Sequence, residues 1–143
     1  MTANLVVAAM LNALTFLVHA AGLIALTRLM KFLPGEAAPD RRWGKLVGIF
    51  IAAFGLFILL CIEIGIWAVS LVGVGAFSDF ETAFYFSTSS FATIGFGDVA
   101  PAHSWRLLAA MEGVTGFLII GWSSAYLVMS GIRFGPFERD THF

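Results

Sequence analysis

The side chains in this chain that could do chemistry are few and scattered. His19, Glu63 and Glu112 each stand alone inside a long apolar stretch. The sequence has no clustered His/Asp/Glu set and no Ser/His pair of the kind that an active site needs. Its one cysteine, Cys61, can form neither an intrachain disulfide nor a CxxC metal site. We therefore expect a protein that is not an enzyme and that uses no cofactor.

One short polar stretch, SSFATIGFGDVAP at residues 89–101, interrupts the apolar sequence. It carries Gly95 and Gly97 two residues apart, directly followed by Asp98. A phosphate-binding loop is excluded because no helix N-terminus follows the glycines directly. A Gly-x-Gly pair alone could be an ordinary turn, so its function has to be inferred from the elements on either side of it.

Those elements are membrane spans. Of the 143 residues, 59% are hydrophobic and 12% are charged, and the mean hydropathy is +0.92, whereas soluble domains are about a quarter charged. A span needs about 20 apolar residues, and residues 5–27, 46–76 and 107–132 meet that length. The net charge of −1 does not favour nucleic acid as a partner, and the surroundings we expect are the lipid bilayer.

The basic residues predict how these spans are oriented. Seven of the eight Lys and Arg residues lie between the first two spans or after the third, and only Arg106 lies on the other side. The positive-inside rule then places the N-terminus outside and the C-terminus in the cytoplasm of a multi-pass cell-membrane protein. The first span lacks the basic start and short apolar core of a signal peptide, so we assign residues 1–33 to a helix, 34–45 to a cytoplasmic linker and 133–143 to a short cytoplasmic tail.

The connection between the second and third spans is too aromatic for an aqueous loop. It carries five apolar rings between residues 80 and 91, so we expect a short helix over residues 79–92 buried among the spans. Ser78 and Glu81 have the spacing of a capping box, with Ser78 as the N-cap.

In this setting, Thr-Ile-Gly-Phe-Gly-Asp at residues 93–98 resembles the Thr-Val-Gly-Tyr-Gly-Asp pore loop of potassium channels, and it is a variant that this family uses. The resemblance implies an all-α membrane protein with a potassium-channel-like pore domain at 46–132. Its parts would be an outer helix (46–76), a re-entrant pore helix (79–92), a filter loop (93–98) and an inner helix (105–132). One chain carries one copy of the loop, so the resemblance also implies a homotetramer of identical subunits.

The resemblance further implies where the ions bind. The backbone carbonyls of Thr93, Ile94, Gly95 and Phe96 would replace the water shell of K⁺, and Gly95 and Gly97 would supply the backbone angles this requires. At the outer mouth, Asp98 would concentrate cations. His103 lies near the same mouth, as a site of proton block or as an incidental surface residue.

The filter also needs support from behind. By resemblance, Tyr85 and Phe86 stand in the aromatic cuff of the pore helix. Phe96 replaces a tyrosine whose hydroxyl normally bonds to that cuff, so we expect a less braced filter. Acids inside spans usually face protein or a cavity. Glu63 and Glu112 could therefore accept hydrogen bonds from the pore-helix hydroxyls, such as that of Ser89, or sense pH, or simply pack between helices.

In the inner helix, Gly113, Gly116 and Gly121 are candidates either for a gating hinge or for close helix packing. The gating stimulus and any regulatory partner are not specified by the sequence. The intact hexapeptide favours a potassium-selective channel. A weakly selective cation channel of the same architecture and a non-conducting accessory subunit are the alternatives.

Overall fold

The computed structural model of the protein describes residues 2–32 and 41–134. These residues form four α-helices and one 3₁₀ turn, without a strand. The helices are α1 (Thr2–Phe32), α2 (Arg41–Gly73), α3 (Phe80–Phe91) and α4 (Arg106–Arg133), with the turn at His103–Trp105 directly before α4. Residues 41–45 of the predicted linker (34–45) belong to α2, which starts before the predicted residue 46. The rest of the linker and residues 135–143 of the predicted tail lie outside the described residues.

Among the described residues, three helices are long and apolar enough to cross a membrane, namely α1, α2 and α4. α3 has 12 residues and is about 18 Å long, which is too short to span a bilayer. The predicted all-α fold, with three spans and one half-length helix before the loop, is confirmed.

α2 ends earlier than the 46–76 prediction because a glycine stops it. Gly75 has a φ of +75°. Its N–H donates to Val72 O at 2.9 Å, while Ala76 N–H donates to Leu71 O at 2.8 Å. This pair of bonds is the Schellman motif, which closes a helix with glycine in the left-handed conformation. The helix therefore stops at Gly73, and the chain turns towards α3.

The N-cap of α3 is Asp79, and the prediction of Ser78 was wrong. Asp79 has extended backbone angles, and its carboxylate accepts the N–H of Thr82 at 2.8 Å. That bond satisfies one of the N–H groups left free at a helix start. Ser78 instead donates its hydroxyl to the Asp79 carboxylate at 3.4 Å. The bond from Thr82 lowers the pKa of the Asp79 carboxyl below its usual range.

α3 packs against both α2 and α4. The core of the unit formed by α2, α3 and α4 contains fully buried apolar side chains, with Trp67 and Leu71 on α2, Phe91 on α3, and Leu108 and Ile119 on α4. α1 adds Ala8 and Leu11 to the same core. Since lipid is as apolar as these side chains, the helices associate through close packing and hydrogen bonds rather than through exclusion of water. The unit therefore holds the C-terminal end of α3 in a defined place.

α1 packs against both α2 and α4. Its contact with α2 is close because glycines face leucines: a Cβ added to Gly22 would overlap the Leu59 side chain, and one added to Gly55 would overlap Leu26. Small residues of this kind allow membrane helices to approach each other. α1 is therefore part of the folded unit within this one chain.

Candidate ion-conducting site

The segment at residues 93–98, called the filter segment below, directly follows the last turn of α3. Its N–H groups point back to that turn. Thr93 N–H donates to Ser90 O at 3.0 Å, and the N–H groups of Ile94 and Gly95 donate to Ser89 O at 2.9 and 3.2 Å. Among the hydrogen bonds of the described residues, none uses a carbonyl oxygen of residues 93–96. These oxygens are therefore free to face a ligand.

The sign of φ alternates along the filter segment. Thr93, Gly95 and Gly97 have φ of +60°, +63° and +78°, while Ile94 and Phe96 do not have positive φ. In the same segment, the N–H groups of Thr93, Ile94, Gly95 and Phe96 all donate to Ser89 or Ser90 of α3. The two glycines adopt positive φ as predicted.

Thr93 is the one non-glycine residue with positive φ among the described residues. This conformation is uncommon for a β-branched residue and is strained. Sequence reasoning assigned positive φ to the glycines alone, because they adopt it without cost. The spacing of the glycines could have indicated positive φ at Thr93. Positive φ recurs at every second residue, and Thr93 lies two positions before Gly95.

The Ser89 side chain supports the filter segment in a second way. Its hydroxyl accepts the N–H of Phe96 at 3.2 Å, and the side chain is 8% exposed. One residue of α3 therefore binds three consecutive N–H groups of the filter segment through its carbonyl and hydroxyl oxygens. Ser89 thus contacts the filter segment directly, and its role in supporting an ion filter stays a prediction.

Tyr85 joins α3 to the outer end of the filter segment. Its ring stacks on the Phe96 ring with centroids 6.5 Å apart, and its hydroxyl donates to the Asp98 carboxylate at 2.8 Å. Phe96 lacks the hydroxyl group that would brace the filter segment, but the bond from Tyr85 to Asp98, two residues further along the chain, offsets this lack. Phe86 instead packs against Phe77, with centroids 5.1 Å apart, and supports the chain between α2 and α3.

The two buried acids have different neighbours. Glu63 was a candidate for filter support, but its Oε1 lies 2.8 Å from His19 Nδ1 on α1. Its observed bond therefore joins α2 to α1, as expected for an acid that packs between helices, and a role of Glu63 in filter support stays a prediction. Glu112 on α4 is completely buried beside Ser87 of α3. Within the described residues, neither its two oxygens nor the Ser87 hydroxyl has a hydrogen-bond partner of ordinary geometry.

The inner-helix glycines also differ. α4 is continuous from Arg106 to Arg133. A Cβ on Gly116 would collide with the carbonyl group of Phe91 at the end of α3, a Cβ on Gly113 would lie 3.5 Å from Ser90 O, and one on Gly121 would meet nothing. Gly116 is thus explained by close packing against the residue before the filter segment. A hinge at any of the three stays a prediction.

Asp98 and His103, the two residues predicted to lie at an outer mouth, are both exposed. Two large side chains of the filter segment are also uncovered in the single chain, Ile94 at 55% and Phe96 at 66% exposure. α4 carries a similar uncovered apolar face that includes Val114, Phe117 and Leu118. Both surfaces are thus uncovered in the single chain.

The comparison with protein families agrees with this geometry. A family model described as an ion channel matches residues 57–131, which is just over half of the chain and includes most of α2 and α4, all of α3 and the filter segment. The comparison with curated proteins and the comparison with solved structures gave no match. By its sequence match and by the elements that this match covers, the chain belongs to the ion channel family.

Proposed function

We propose that the protein is the subunit of a potassium-selective channel. The observation that carries this proposal is the arrangement of the filter segment, whose N–H groups bind α3 while the carbonyl groups of residues 93–96 stay free. Four such rows of oxygens, facing one another, replace the water around a dehydrated K⁺ ion. The protein supplies the ligands from its backbone, and K⁺ is the permeant ion rather than a bound cofactor.

The exposed surfaces support a homotetramer. A single row of carbonyl groups cannot surround an ion, and the bare Ile94 and Phe96 side chains need cover that a neighbouring copy would give. A cyclic arrangement of four identical chains brings these surfaces together around one axis. Lipid surrounds the outer faces of α1 and α2.

The charges support an orientation in the cell membrane. Arg28 and Lys31 close α1, Lys45 opens α2 and Arg133 closes α4, so these four cations share one end of the bundle. The excess of basic residues marks this end as cytoplasmic. The filter segment and Asp98 then face the outside, where the carboxylate attracts cations.

Glu112 remains a candidate for filter support from the inner helix. It is completely buried at the contact of α4 with α3, beside Ser87, and an acid at membrane depth normally faces protein or a cavity. Its place beside Ser87 puts the carboxyl group next to α3, two residues before Ser89, which binds the filter segment.

Ion flux through liposomes that contain the purified protein tests the proposal. We expect K⁺ flux to exceed Na⁺ flux by more than about tenfold, a difference of about 1.4 kcal/mol. Gly95→Ala should abolish flux, because its backbone has a φ of +63°, which alanine resists. Gly65→Ala is the matched control, because its Cβ would meet nothing. Equal K⁺ and Na⁺ flux would instead indicate a weakly selective cation channel, and absence of flux an accessory subunit.

A further inference from the structure

Five uncharged or ionisable polar side chains along α1 face other helices of the same chain. Asn4, Asn12, Thr15, His19 and Thr27 each have a partner on α2, on α4 or just before α4. Polar side chains at the contacts between membrane helices hold the helices together, because the acyl chains of the lipid offer them no hydrogen-bond partner. α1 is therefore bound to both the outer and the inner helix.

Towards α2, the contacts fix α1 in place. His19 Nδ1 meets Glu63 Oε1 at 2.8 Å, and Trp67 Nε1 donates to Thr15 Oγ1 at 3.1 Å. All four side chains are completely buried. With the close Gly22–Leu59 contact, these bonds make α1 and α2 one rigid pair.

Towards α4, the contacts follow the helix along its length. Asn4 Nδ2 donates to Ser104 O at 2.5 Å before α4 starts, and Asn12 and Thr115 are hydrogen-bonded one third of the way along it. Further down, the His19 ring lies 5.1 Å from the Trp122 ring. Finally, the hydroxyls of Thr27 and Tyr126 are 3.0 Å apart.

The hydroxyl contacts lie on one face of α4. Thr115 and Tyr126 contact α1 through their hydroxyls and are buried or half-buried, whereas Val114, Phe117 and Leu118 are uncovered. Trp122 lies between the two faces, since its ring approaches His19 but is 44% exposed. In the proposed tetramer the uncovered face meets the pore axis and the neighbouring subunits. α1 therefore holds α4 from the side that faces away from the pore.

We propose that α1 is a latch that keeps the cytoplasmic half of α4 away from the pore axis, with Thr27 as a positioning residue that acts through Tyr126. The proposal rests on the proposed channel function. Movement of α4 towards the axis, which narrows the inner pore, must break the Thr27–Tyr126 bond first, because it is the α1–α4 bond nearest the cytoplasmic end. The latch therefore stabilises the open channel.

Single-channel recording in planar bilayers tests the latch. Thr27→Val and Tyr126→Phe each remove one hydroxyl and keep the shape of the side chain. Each should lower the open-to-closed ratio by about threefold, the average effect of one hydrogen bond between membrane helices. The double variant should lower it no further than either single variant, since both remove the same bond.

Thr15→Val is the matched control, because it removes a hydroxyl from the same helix but breaks a bond to α2 rather than α4. It should lower thermal stability and leave the open-to-closed ratio unchanged. An unchanged ratio in Thr27→Val, additive effects in the double variant, or an equal fall in Thr15→Val would each overturn the latch while wild-type current persists. Absence of wild-type current would overturn the proposed function and the latch with it.

Discussion

The filter segment and α1 are held in place by hydrogen bonds of different kinds. The filter segment uses backbone N–H groups that reach only three to seven residues back, to Ser89 and Ser90. α1 uses side chains whose partners lie 44 to 103 residues away, such as Glu63 and Thr115. The first region depends on local conformation, whereas the second depends on the identity of single side chains and on the whole fold.

This difference predicts how each region fails. A substitution that removes a polar side chain from the α1 contacts leaves its buried partner without a hydrogen bond, and this lowers the stability of the fold. A substitution near the filter segment costs less stability, but it moves the carbonyl groups and so changes selectivity. Stability and selectivity should therefore respond to different sets of residues.

The largest effect on stability is expected at the buried His19–Glu63 pair. Glu63→Met leaves His19 Nδ1 buried without its partner, and a buried polar group left without a hydrogen bond costs about 1–3 kcal/mol, and more if it is charged. The double variant His19→Leu/Glu63→Met should recover most of that loss, because no polar group is then stranded. Thermal unfolding in detergent measures both. A double variant that is as unstable as the single one would contradict the role of the pair in docking α1.

The next effect is expected where α4 meets the end of α3. Gly116→Ala puts a methyl group on the Phe91 carbonyl, and overpacking of this kind costs about 1–3 kcal/mol. We also expect a lower ratio of K⁺ to Na⁺ flux, because Phe91 precedes the filter segment. Gly121→Ala is the control for stability, since its added Cβ meets nothing and alanine favours a helix. Equal stability of the two variants would refute the contact.

A smaller loss of stability but a clear loss of selectivity is expected at Ser89. Ser89→Ala removes the acceptor of the Phe96 N–H, at a cost of about 1 kcal/mol, while the backbone bonds from Ile94 and Gly95 persist. The ratio of K⁺ to Na⁺ flux should fall. Ser70→Ala removes a hydroxyl that bonds only within α2 and should leave the ratio unchanged. A selective Ser89→Ala channel would show that the backbone bonds suffice.

The smallest effect is expected at the start of α3. Asp79→Ala should lower the melting temperature slightly more than Ser78→Ala, because Asp79 is the N-cap. The folded protein lowers the pKa of this carboxyl, so its stabilisation is present above the ordinary pKa and is lost as the pH falls through the lowered one. Melting temperatures of both variants across the acid range measure this loss of stability. A larger effect of Ser78→Ala than of Asp79→Ala would show that Ser78 is the N-cap after all.

Much of the conducting region could be predicted because its determinants are local. The glycine pair predicted positive φ at Gly95 and Gly97, and the aromatic stretch before them predicted a short helix that the structure places at Phe80–Phe91. The N-cap was misplaced by one residue because Ser78 and Asp79 are both good capping residues, and only the backbone angles decide between them.

The contacts of α1 could not be predicted in the same way. Both faces of this helix are apolar, so hydrophobic periodicity does not show which face is packed. The partner of Glu63 depends on how α1 and α2 are rotated, and that rotation is set by close packing at Gly22 and Gly55. The polar residues of α1 could have indicated its packed face, because Asn4, Thr15 and His19 all lie on the side of the helix that is buried.

The reversal potential of the wild-type channel, with K⁺ on one side of a bilayer and Na⁺ on the other, tests the central claim most directly. The free carbonyl groups at residues 93–96 predict a potential displaced by more than about 59 mV in the direction of K⁺ selectivity, which corresponds to a tenfold permeability ratio. A reversal potential near zero in a conducting channel would contradict the account.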